Sequence, residues 1–304
     1  LPIAHFGFLV ETLRKWREEG HITAEEANGW PWFGSPIDES IGRKLGFDFD
    51  WFNCYMPNKA VLQEIDPPFE RKIVKEHPDG SREVINSDGV TVIEKDDATS
   101  IPREVGHLLT DRKSWEEHYL PRLQFSEDRI LSSKVHTGTE TLPFTEGGLD
   151  YLKREDREKP LGLYCGSVVG RIRCWLGLVG SSYLMYDDAA LYDEMLKTVA
   201  DLNYECVKFI LEKGAKFDYA HFWEDICFKN GPLLSPSFFS EKAGPYYQKM
   251  TELVGSYGIN IVSVDCDGMI DALIPTWINN GVNTMFPIEV GTWHASIGPW
   301  RARC

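Results

Sequence analysis

The chain has 304 residues, and its 32 Lys and Arg are outnumbered by 47 Asp and Glu, for a formal net charge of −15. Such a surface repels phosphate backbones, so nucleic acid is set aside as a partner. No apolar run approaches the ~20 residues of a membrane helix, and the membrane is set aside as well.

The opening LPIAHFGF has no basic stretch followed by an apolar one, so no signal peptide is read. It lacks a starting Met, which leads us to expect a few residues upstream. The seven cysteines are Cys54, Cys165, Cys174, Cys206, Cys227, Cys266 and Cys304. None forms a C-x-x-C pair, which excludes a zinc finger and points to reduced thiols in a cytoplasmic protein.

In chain order, PIAHFGF predicts a short strand, and LVETLRKWREEG predicts a helix stopped at Gly20. Residues 21–67 are rich in Trp, Gly, Pro and Asp and predict loops, a short helix near Ser40–Leu45 and a strand near Phe47–Cys54. Residues 68–100 alternate apolar and polar positions around the turn dipeptides Asp79-Gly80 and Asp88-Gly89. That pattern predicts an inserted antiparallel ribbon, serving as a flap, a lid or a dimer contact.

From residue 160 a β/α rhythm sets in. LGLYCGSVVG reads as a buried parallel strand. Leu191, Met195, Val199, Leu202, Cys206 and Phe209 recur at helical steps, and Gly214 closes that helix. The strand FDYAHFW, a helix from Ser235-Pro236 to Tyr257, the strand INIVSVD, a helix through IDALIPTWINNG and the strand TMFPIEVG follow. Alternation of this kind gives a parallel α/β sheet, and an open doubly wound sheet and a closed barrel both fit it. No G-x-G-x-x-G or Walker loop is present, which counts against a dinucleotide fold.

In a β/α barrel the chemistry sits at the C-terminal strand ends. Polar residues there are His5, then His221, Glu224 and Asp225, then Asp265 and Asp267, then Glu289. Crowded carboxylates need a cation, a basic substrate or a raised pKa that makes one an acid. Asp265 and Asp267, two apart, share a face of a continuing strand, and with Glu289 or His221 they form a candidate metal site. Each has a structural reading as well: Asp-Gly is a turn, and His221 or His5 a satisfied core histidine. Trp30, Trp32, Trp51 and Trp175 either floor an aromatic pocket or fill the core.

The runs WEDICFKNGPLLSPSFFSEKAGPYYQKM and DCDGMIDALIPTWINNGVNTMFPIEVG, with LGLYCGSVVGRIRCWLG and LMYDDAALYDEMLKTVAD, resemble the C-terminal half of the uroporphyrinogen decarboxylase superfamily. The resemblance covers most of residues 160–304 and, more loosely, the first strand and helix. It implies a single TIM-type (β/α)8 barrel domain over residues 1–304. A closed barrel calls for roughly eight β/α units. About six are counted here, so the C-terminal units are expected to be missing.

The tetrapyrrole-binding R-Q-A-G-R of true decarboxylases is replaced by PIAHFGFLVETLRKW. The zinc-binding H-x-C of the methylcobamide:coenzyme M members is replaced by Asp265-Cys266-Asp267. The resemblance therefore implies the corrinoid-dependent methyltransferase branch, in a demethylating role. A small methoxylated molecule, aromatic ones included, would give its methyl group to cobalamin carried on a separate corrinoid protein. The expected catalytic residues are Asp265, Asp267, Glu289, His221 and Glu224. His5, Trp51, Trp175, Trp223 and Arg171 are expected to bind substrate. Asp267, Glu289 and His221 are expected to hold zinc or another divalent metal, and a homodimer is possible. The alternative is a decarboxylase or lyase acting on a small organic acid, with Arg171 and Arg173 beside the carboxylates.

Overall fold

In the computed structural model, which describes residues 3–5, 7–28, 36–51, 54, 65–95, 101–137 and 140–302, the amphipathic run after Leu9 forms the helix Val10–Glu18. It buries Val10 and Leu13. The chain then turns through Gly20, whose φ of +80° favours glycine. Thr23 and Glu26 cap the following helix reciprocally, each backbone N–H donating to the other's side chain at 2.8 and 3.1 Å. A third helix, Pro36–Lys44, starts earlier than the expected Ser40.

Leu13, Ile22, Ala27 and Ile41 form a small core, with Phe8, Trp16 and Ile37 packed on it. Ala4–His5 pairs in parallel with Phe49–Asp50, which is all of the expected 47–54 strand that forms among the described residues. These elements belong to the first of two units: Leu1–Val61, Asp128–Tyr164 and Ile210–Asp218. An antiparallel pair, Lys134–His136 with Thr141–Pro143, the helix Leu149–Lys153 and the strand Gly162–Tyr164 also belong to it.

The second unit comprises Leu62–Glu127, Cys165–Phe209 and Tyr219–Cys304. Its ribbon has four antiparallel strands in sequence order: β1 (Lys72–Glu76), β2 (Arg82–Ile85), β3 (Val90–Glu94) and β4 (Arg103–His107). The two Asp-Gly turns fall where the sequence puts them, and the ribbon extends past residue 100 to gain its fourth strand. β1 is an exposed edge carrying Lys72 and Lys75, charges that discourage strand addition.

Helix α1 (Val169–Asp187) begins inside the apolar run LGLYCGSVVG and takes its last two residues from the expected strand. It kinks at Gly177, where φ is +70° and a Cβ would lie 2.4 Å from the His107 ring. Helix α2 (Ala189–Glu212) follows.

Three parallel strands come next: β5 (Tyr219–Trp223), β6 (Val262–Asp265) and β7 (Thr284–Phe286), with β6 in the middle. Cys165 N–H donates to His221 O, and Trp223 N–H to Gly166 O, so residues 165–166 run along the side of β5 opposite β6. The expected single helix after Ser235 is two, α3 (Pro236–Lys242) and α4 (Gly244–Ser256), because Pro245 cannot continue the backbone ladder. Helix α5 (Ile274–Asn279) leads to β7.

The architecture is mixed α/β with parallel strands, and among the described residues the sheets do not close into a barrel. No helix among them is long and apolar enough to cross a membrane.

Candidate functional site

Alternation along β5 sends Ala220 and Phe222 to one face, and His221 and Trp223 to the other. Phe222 packs on Tyr247 of α4 at 4.6 Å between ring centroids, so the first face is covered by helix. The register pairs His221 with Ser263, Trp223 with Asp265, and Asp265 with Phe286. The second face therefore carries the polar residues.

His221 is fully buried, stacked on Phe286 at 5.5 Å, with Nδ1 2.9 Å from Ser263 Oγ. The Ser263 hydroxyl donates to Ala220 O at 3.0 Å. Its single proton is thereby used, so Nδ1–H must donate to Oγ, which makes Nε2 the basic nitrogen.

Glu224 follows the strand and is also fully buried. Its carboxylate accepts from Val168 N–H (2.9 Å), Gly170 N–H (2.6 Å), Ser167 Oγ (3.3 Å) and the Tyr247 hydroxyl. Burial pushes its pKa up, and those donors pull it back. The first N–H groups of a helix have no intrahelical acceptor. Glu224 supplies one to α1 from a neighbouring strand, which is why the helix starts here. Gly170 is required by the same contact, since a Cβ would lie 1.8 Å from Glu224 O.

Asp225 comes next, in the left-handed region at φ +45°. Arg173 Nη2 donates to its carbonyl at 3.1 Å, and its Oδ1 accepts from Asp267 N–H at 3.0 Å. That turn draws three carboxylates together: one oxygen each from Asp225, Asp265 and Asp267 lies within 4.8 Å of the others. Burial raises the pKa of Asp225, against the Asp267 N–H and the Arg173 charge. Partial burial, then the charges of Asp225 and Glu289, push Asp267 up to about 6. Glu289 sits beyond β7 at the start of a short helix, and its Oε2 is enclosed with no hydrogen-bond partner among the described residues.

The expected metal set of Asp267, Glu289 and His221 is thus not what the fold gathers most tightly; Asp267 joins Asp225 and Asp265. Three carboxylate oxygens suit a hard divalent cation better than zinc, which favours nitrogen and sulfur.

Arg171 lies with its guanidinium 5.6 Å from the Trp223 ring centroid and 3.6 Å from Asp88 Oδ2, at the ribbon's second turn. Tyr119 donates to Asp88 O at 2.9 Å and fixes that turn. Trp175 is fully buried against Tyr119 and belongs to the packing of α1. His5 and half-buried Trp51 lie in the first unit. His5 is buried there with Asp38 and Asp50, donor atoms within 4.8 Å, and stacks on Phe8 at 4.7 Å. Burial lowers its pKa, against the charges of Asp38 and Glu39. Trp30 and Trp32 lie outside the described residues.

Two site residues escaped selection from the sequence. Asp225 was visible at the strand end, and its spacing from Trp223 matches the spacing that paired Asp265 with Asp267. Asp88 had no local signal, because only tertiary folding brings the ribbon turn to α1.

No family model matches the chain, and no curated protein matches it. Among solved structures the chain is similar to a methyltransferase from Methanosarcina mazei, at 12% identity and a TM-score of 0.42, over 94% of this chain and 70% of that one. A likeness of that degree carries no argument about activity.

Proposed function

We propose that the chain is a corrinoid-dependent methyltransferase that takes the methyl group from a small methoxylated substrate, aromatic in our reading, and passes it to a corrinoid on a separate protein. The motif resemblance to the methyltransferase branch of the uroporphyrinogen decarboxylase superfamily, with its TIM-type barrel, suggests the class. The observation that carries the chemistry is Asp267, a solvent-reachable carboxyl held at about 6 beside Asp225 and Glu289.

Breaking a methyl–oxygen bond leaves its electron pair on oxygen, and an alkoxide or phenoxide is a poor leaving group. A carboxyl with a pKa near neutrality can deliver the proton as that bond breaks and regain it from solvent. The reduced corrinoid, a co-substrate here, supplies the electron pair that takes up the methyl group. Asp225 and Glu289 keep Asp267 protonated further up the pH scale. Glu224 fixes the strand end and the α1 start around it. Were a divalent cation bound, Asp225, Asp265 and Asp267 would hold it, and it would polarise the substrate oxygen.

Incubation with cob(I)alamin and a panel of methoxylated aromatics tests the proposal. Methylcobalamin should form with at least one of them, and Asp267→Asn should lower the rate by about a hundredfold or more. No methylcobalamin from any of them, with decarboxylation of an organic acid instead, would overturn it. That second reading, a lyase, is favoured by Arg173 on Asp225 and Arg171 on Trp223, two cations at the acidic rim.

A further inference from the structure

Past its kink at Gly177, helix α1 turns an apolar stripe to solvent. Val179 is 67% exposed, Tyr183 65% and Tyr186 82%. With Ser182 they stand at i, i+3, i+4 and i+7, the spacing of one helix face. That spacing ordinarily marks the side a helix buries, yet α1 packs into its own unit through other residues, Trp175, Leu176 and Met185 among them. The Ser182 hydroxyl donates to Leu178 O at 2.8 Å, so its polar group stays satisfied when the stripe is covered. Leu178 and Leu108 are exposed as well, and Leu108 follows His107, whose ring packs on Gly177, so the patch continues across the kink.

Charge and register say what covers it. No residue from Cys174 to Tyr186 is charged, in a chain whose net charge is −15. Two copies repel wherever their acidic surfaces meet, so a self-contact belongs on a neutral face, whereas a basic partner is drawn to the acidic ones. A two-fold axis through the middle of the stripe runs two α1 helices antiparallel. It sets Val179 of one copy opposite Tyr186 of the other, and Ser182 opposite Tyr183, so each large ring meets a small side chain. The patch exposes about 600 Å² per copy, most of the roughly 800 Å² that each partner gives to a standard interface. We infer that this stripe of α1 is the interface through which two copies of the chain form a homodimer, with Tyr183 and Tyr186 as its anchors. The inference does not depend on the proposed reaction.

The test is sedimentation velocity of the full chain at micromolar concentration. The unsubstituted protein should sediment at twice the 34.7 kDa of one chain. Tyr186→Glu should raise the dimer dissociation constant about thirtyfold or more, the scale of a lost anchor residue. Val179→Lys should do the same. Both positions are exposed, so circular dichroism should show each variant folded. The double variant Val179→Lys/Tyr186→Glu puts opposite charges across the two-fold axis, and it should dimerise again at low salt and dissociate at high salt. The two positions are two helical turns apart within one chain, so only the antiparallel register brings the new charges together. A monomer at every concentration, a dimer untouched by Tyr186→Glu, or a double variant as weak as the single ones at low salt would overturn the inference.

Discussion

Asp267→Asn separates the chemical cost of the site from its use. The Asp267 carboxyl is pushed from the ordinary aspartate value of 3.8 to about 6. A group whose folded pKa is raised favours the folded state while protonated and opposes it once ionised. Taken at face value, a rise of about two corresponds to roughly 3 kcal/mol of destabilisation above pH 6. The side chain is solvent-exposed, so screening cuts this to about 1 kcal/mol. Asn cannot ionise and is free of that cost. At pH 7 and above the variant should therefore be the more stable by about 1 kcal/mol. The gap should narrow as pH falls below 6 and vanish below the ordinary value of 3.8, where the carboxyl is protonated in the unfolded chain as well. Urea denaturation of both proteins across this range is the assay. A variant less stable than wild type at pH 7, or a gap independent of pH, would refute the electrostatic account of the cluster. The same substitution should remove most of the methyl transfer, so stability and activity move in opposite directions.

Glu224→Gln replaces an acceptor of four hydrogen bonds with a group that is half donor, and should cost about 2–4 kcal/mol of stability in a urea titration. Gly170→Ala places a Cβ 1.8 Å from the Glu224 carbonyl oxygen, against backbone that cannot yield. It should destabilise by at least about 3 kcal/mol or abolish folding, read by circular dichroism. Cys54 and Cys165 are buried thiols whose pKa is pushed up to about 12 by burial. Both should resist maleimide at pH 8 in the folded protein and react after denaturation, as peptide mapping by mass spectrometry will show.

What the amino-acid sequence determined by itself is local. Gly20, Gly214 and Gly258 end helices because the chain must turn where only glycine bears a positive φ cheaply, and Asp79-Gly80 and Asp88-Gly89 turn the ribbon for the same reason. The helical spacing from Leu191 to Phe209 and the apolar strands around His221 and Val264 needed no partner to be read. The carboxylates at strand ends were also legible, since strand direction and residue order suffice to put Asp265 and Asp267 at one rim.

Tertiary structure decided the rest. The run LGLYCGSVVG is apolar enough for a long strand, yet Val169 begins a helix because Glu224, more than fifty residues later, binds its first N–H groups. Glu224 and Asp225 are adjacent in sequence and chemically alike, and local pattern could not tell them apart. One faces donors in a closed pocket and anchors a helix. The other turns through φ +45° and joins Asp265 and Asp267. Burial, contact and charge proximity are properties of the folded chain, and they fix which carboxylate holds the scaffold and which is left to do chemistry.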